Sequence, residues 1–144
     1  MSDLDKPIAQ LLQTYAAAVH AKDAAALMRL YDPGVRVFDA WGVWSYDSAA
    51  AWQSAVESWF QSLGSERVNV RFDEVRVSPG ADMAIVSAIV TYAAVSAQGE
   101  PLRHMHNRLT WGLKTIRHVL RIVHEHTSAP IGFEDMKAIL QRGG

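Results

Sequence analysis

Five of the six histidines lie between His104 and His126, and four of them form two His-x-His pairs, His104/His106 and His124/His126. Paired imidazoles suggest a metal site, but strand geometry argues against one. A hairpin turning at Arg117-His118 makes Arg108 face Thr127, Leu109 face His126 and Trp111 face His124. His106 then lies three residues from the position opposite His126, about 10 Å away at roughly 3.3 Å per residue, and on the opposite face. Ligands to one zinc ion sit about 2 Å from it. There is no His-Glu-x-x-His pattern either, so no metal is expected and the imidazoles are assigned to cross-strand packing.

The same pairing puts His104, His106, Arg108 and Thr110 on one face with Val123, Glu125 and Thr127. The other face carries Met105, Asn107, Leu109, Trp111, Ile122, His124 and His126. Arg108 and Glu125 become diagonal cross-strand neighbours. Lining a cavity, Arg108 would offer a planar two-pronged donor to a carboxylate. Facing solvent, it is one half of a surface ion pair of little energetic worth.

Asp39 follows a β-rich run and precedes Trp41 and Trp44. Desolvation against aromatic surface raises a carboxyl pKa, which suits general acid or base work near neutrality. The alternative is a turn aspartate bonded to nearby amides. Tyr15 lies in an apolar helical stripe, where a buried hydroxyl needs a partner. Trp52, Trp59 and Phe60 are expected between helix and sheet, with one of them available as a pocket wall. The sequence contains no Gly-x-Ser-x-Gly elbow and no glycine-rich phosphate loop, which leaves proton transfer as the chemistry open to it.

These residues need a scaffold, and the periodicities supply one. Ile8, Leu11, Leu12, Tyr15, Ala16 and Val19 follow helical spacing. A second short helix is expected after Asp23, carrying Leu27, Leu30 and Tyr31 and stopped by Asp32-Pro33-Gly34. A short strand runs from Val35 to Asp39, and a third helix, capped by Asp47 or Ser48, reaches Leu63 before Gly64. From Arg67 the period becomes strand-like, with a slip near Asp73-Glu74 that predicts a β-bulge. Met83 to Val95 is apolar on both faces and so central. Leu102 to Lys114 and Val119 to Ser128 follow as strands, the short turns imply antiparallel neighbours, and Gly132 to Arg142 is expected as a small terminal helix.

The chain has 144 residues, of which 49% are hydrophobic and 20% charged. That suffices for one core and excludes a disordered chain. A net charge of -1 gives no footprint for nucleic acid or an anionic membrane. Without cysteine, thiolate chemistry and disulfides are excluded. No export signal or membrane span is apparent, so a cytoplasmic location is expected. Three helices followed by long strands imply an α+β fold, a curved antiparallel sheet folded around the helices into a cone with a mouth.

The run Ile122-Val123-His124-Glu125-His126-Thr127-Ser128-Ala129-Pro130, closing that order of elements, resembles the nuclear-transport-factor-2-like superfamily. Within it the chain is similar to SnoaL-like, ketosteroid-isomerase-related proteins and to the calcium/calmodulin-dependent kinase II association domain, from about Ile8 to Pro130. The resemblance implies a cystatin-like α+β roll with a ligand pocket, formed by a single domain over residues 1–144 with 132–144 as an extension. It implies Arg108 inside the cone and Asp39 as the acid or base. The second hub arginine is replaced by Thr127, and the oxyanion pair of steroid isomerases has no counterpart. The residues expected around a small carbonyl or carboxylate ligand are Asp39, Tyr15, Trp41, Trp59, His106, Arg108, Glu125, His126 and Thr127. No cofactor is expected, and a homodimer joined through the sheets is. The alternative function is a non-catalytic oligomerisation module.

Overall fold

The computed structural model describes residues 4–143. Helix α1, Asp5–Ala21, buries Ile8, Leu11, Tyr15, Ala18 and Val19 along one stripe. Asp23 caps α2, Ala24–Met28, by accepting a hydrogen bond from the Ala26 amide. Ser48 does the same for α3, Ala49–Ser62, through the Ala51 amide. Gly64 follows α3 with a left-handed φ of 58°, the conformation that favours glycine after a helix.

The five strands are β1 (Tyr31–Phe38), β2 (Arg67–Pro79), β3 (Met83–Val95), β4 (Pro101–Ile116) and β5 (Val119–Ser128). They form one sheet in the order β1-β5-β4-β3-β2. The expected bulge in β2 is present: the register slips between Asp73 and Arg76, and Glu74 has a φ of 54°. β3 lies inside the sheet, between β4 and β2, as its two apolar faces require.

Four local expectations are corrected. Tyr31 is not on the second helix but opens β1 opposite Ile122, and Pro33-Gly34 lies within that strand rather than stopping the chain. β1 is an edge strand, where a proline without an N–H leaves no ladder bond unmade. The sheet is not wholly antiparallel, because β1 runs parallel to β5 while the other pairs are antiparallel. The terminal helix is absent: residues 131–143 form turns, with an Ile131–Ala138 bridge. There the Asp135 carboxylate accepts from the Lys137 amide, a local bond that competes with helix, and Phe133 points into solvent, 98% exposed.

The fourth correction matters most for function. The β4–β5 hairpin turns at Arg117-His118, both with positive φ, and pairing runs as predicted as far as Leu113 opposite Ile122. Val123 is then an extra residue. Beyond it Gly112 faces His124, Trp111 faces Glu125 and Arg108 faces Ser128. One added residue in one strand transposes every side chain beyond it relative to its partner.

Candidate functional site

The bulge at Val123 turns Glu125 and Thr127 inward, onto the face shared by Asn107, Leu109 and Trp111. Arg108, His106 and His126 therefore stand outside the cone, contrary to the expectation that they line it. Arg108 Nε donates to Ser128 Oγ at 3.0 Å and does not meet Glu125. His106 Nδ1 accepts from the Arg142 amide, and burial together with neighbouring positive charge lowers its pKa. His126 packs edge-on against Phe38, as does His124. The bulge leaves His106 and His126 on the same face, but His126 faces Thr110, four residues along β4 from His106, about 13 Å at roughly 3.3 Å per residue. Among the described residues no three His, Asp or Glu side chains gather around one point.

Inside, a cavity of about 600 Å³ opens between α1, α3 and the inner face of the sheet. Tyr15, Asp39, Trp41, Trp59 and Glu125 line it, and Thr127 reaches it through Asp39. Tyr46, Trp52, Tyr92 and Asn107 add to the wall. The arginine at the cavity is Arg103, on the inward parity of β4 at the mouth, and it already pairs with Glu66 at 2.8 Å.

Glu125 is 1% exposed. Its Oε1 accepts from the Tyr31 hydroxyl at 2.6 Å and from Trp111 Nε1 at 2.8 Å. Both of these donors go to Oε1, which leaves Oε2 to the cavity. Desolvation drives the carboxyl pKa up to about 7, and the charge of Asp39 adds to the rise, while the two donors only partly offset it. A carboxyl with that pKa populates both protonation states near neutrality, which is the condition for giving and taking protons.

Asp39 stands just past the end of β1. Its Oδ1 accepts from Thr127 Oγ1 at 3.1 Å, and Thr127 in turn accepts from the Ala40 amide at 3.0 Å. Oδ2 takes a longer bond from the Trp41 amide, 3.3 Å. Both earlier alternatives for Asp39 thus meet in one residue, a turn aspartate that also faces the cavity. Burial raises its pKa against these hydrogen bonds.

The Tyr15 and Tyr92 hydroxyls lie 2.8 Å apart, and burial raises both pKa values, so both phenols stay protonated. One hydroxyl donates to the other, which keeps its own proton for an acceptor in the cavity. Asn107 is a further polar residue of the wall, and its Oδ1 is buried with no hydrogen-bond partner among the described residues. Tyr31, Tyr92 and Asn107 were not visible as site residues in the sequence. Tyr92 and Asn107 carry one available signal: each has the strand parity of its buried neighbours, Val90 and Leu109.

Residues 8–132 match the model of the SnoaL-like domain. The chain belongs to the SnoaL-like domain family. Its fold is also that of an NTF2-like protein of unknown function from Pseudomonas putida, 20% identical, with a TM-score of 0.85 over 97% of this chain and 96% of that one. A Xanthomonas campestris structure described as a putative calcium/calmodulin-dependent protein kinase II association domain is 17% identical, with a TM-score of 0.73 over 85% of each chain. Aln2 from a Streptomyces species is 15% identical, with a TM-score of 0.79 over 89% of this chain and 91% of that one. At these identities the likeness is one of fold, and other solved neighbours are described as having a cystatin-like fold. No curated protein matches the chain. Among the described residues no helix is long and apolar enough to cross a membrane.

Proposed function

We propose that this SnoaL-like protein binds a small, largely apolar carbonyl compound in the cone and catalyses proton transfer at the carbon beside the carbonyl. Glu125 is the acid or base, Asp39 assists, and the Tyr15/Tyr92 pair donates to the developing enolate oxygen. The observation that carries this is Glu125 itself: a buried carboxyl, fixed through one oxygen by Tyr31 and Trp111, with the other oxygen left to the cavity. A carboxylate ligand fits less well. Arg108 lies outside, Arg103 is engaged by Glu66, and two acidic groups already occupy the wall.

The test is deuterium wash-in at the α-carbon of 2-tetralone in D2O near neutrality, followed by NMR. The intact protein accelerates exchange over buffer, and Glu125→Gln lowers the protein-dependent rate by roughly 100-fold, the scale of one general base. A protein-dependent rate equal to that of buffer overturns the catalytic part.

A second copy of the chain is proposed as partner through the outer sheet face, on account of Met83 and Ile85, which are 48% and 55% exposed there. A monomer mass by sedimentation at tens of micromolar rules that pairing out.

A further inference from the structure

β5 ends at Ser128 opposite Arg108, so residues 101–107 of β4 hold β3 on one side and have no β5 partner on the other. An uncovered strand edge invites pairing. Here the chain covers its own edge. His106 N donates to Leu140 O at 2.8 Å, Gln141 Nε2 donates to His104 O at 2.6 Å, and the Arg142 amide donates to His106 Nδ1 at 2.9 Å. The Arg142 guanidinium also pairs with Glu74, and Ile139 N is rooted on Pro130 O at 2.7 Å.

Within this strap Leu140 differs from its neighbours. Residues 133–139 and 141–143 are exposed, whereas Leu140 is half-buried and lines the cavity. Trp41 and Gly42 line the same cavity from the loop after β1.

We propose that residues 139–142 are a movable wall of the cavity: ligands enter when this strap peels from β4, and Leu140 limits the size of what is admitted. The proposal rests on the pocket reading above. Three observations support it. The strap lies beyond residue 132, where the family match stops. It contributes nothing to the hydrophobic cluster that holds helices to sheet. Its hold on the sheet is one backbone hydrogen bond and two bonds involving side chains to β4, and one exposed ion pair with Glu74 of β2, so it opens at a small fraction of the cost of global unfolding.

Two measurements test it. Amide hydrogen exchange of the intact chain should show the His106 amide exchanging at least 100-fold faster than the amides of Val86 and Val90 on β3, which is paired on both sides. Stopped-flow fluorescence with the neutral dye N-phenyl-1-naphthylamine should show entry and exit at least tenfold faster in a chain ended at Ala138, with the thermal melt within a few degrees of the intact protein. Leu140→Ala should give a smaller increase, about threefold. A His106 amide as protected as Val90, or unchanged dye rates in the folded shortened chain, overturns the strap's role alone and leaves it as edge cover. An intact chain that never takes up the dye overturns the pocket reading and the strap's role with it.

Discussion

The two faces of β4 and β5 carry similar polar content and have opposite fates. On the outer face Arg108 and His126 are exposed and make local or stacking contacts. On the inner face Glu125, Thr127 and Asn107 are each less than 5% exposed, and the pKa values of Glu125 and the adjoining Asp39 are raised by burial. One inserted residue, Val123, decides which set is which. Polarity on a strand therefore says little about function until the register is known, and here the register is set by a bulge one residue past the Leu113–Ile122 pair.

The most drastic way to break the contrast is Glu125→Leu. It takes the carboxyl from the inner face and leaves the Tyr31 hydroxyl and the Trp111 N–H buried without their acceptor, at a cost of roughly 1–3 kcal/mol each. Thermal unfolding followed by circular dichroism at pH 5 should come several degrees below that of the intact protein, and an unchanged melt would mean that the inner face does not depend on this carboxyl.

A milder intervention sharpens it. Glu125 has its folded pKa raised from 4.5 to about 7, so the folded state holds its proton more tightly than the unfolded chain. The resulting stability is complete below pH 4.5, falls by about 1.4 kcal/mol per pH unit as pH rises, and is gone above 7, on the order of 3 kcal/mol in all. Asp39, also raised, adds a slope of the same sign. Denaturant melts of Glu125→Gln should lack most of this decline, leaving the variant the more stable protein at pH 8 although its proton transfer is impaired. A variant with the wild-type slope would separate the pH dependence from Glu125.

The smallest effect belongs to the outer face. Arg108→Ala should change stability by less than about 0.5 kcal/mol and leave tetralone exchange as it was, since an exposed side-chain bond contributes little. A large loss of exchange would return Arg108 to the site.

Much of this organisation is legible in the sequence where the signals are local. Helical spacing and the caps Asp23 and Ser48 give α1 to α3, and the slip after Phe72 gives the bulge in β2, because there the apolar alternation visibly changes phase. The bulge at Val123 leaves no such mark. In His124-Glu125-His126-Thr127 both parities are polar, so neither register looks wrong. The parallel pairing of β1 with β5 brings together residues some ninety positions apart, which no local pattern encodes. Tyr31, assigned to a helix by the spacing after Leu27, is instead the strand residue that donates to Glu125. The tail's apolar residues have helical spacing but no surface to lie against, and only Leu140 finds one.

The most direct measurement is a carbon-13 NMR titration of the Glu125 side-chain carboxyl in the intact protein. The expected midpoint is near 7, because burial in the cone raises it against the donors Tyr31 and Trp111. A midpoint below 5 would mean a solvated or cation-paired carboxylate, and it would contradict a proton-transfer site in the cone.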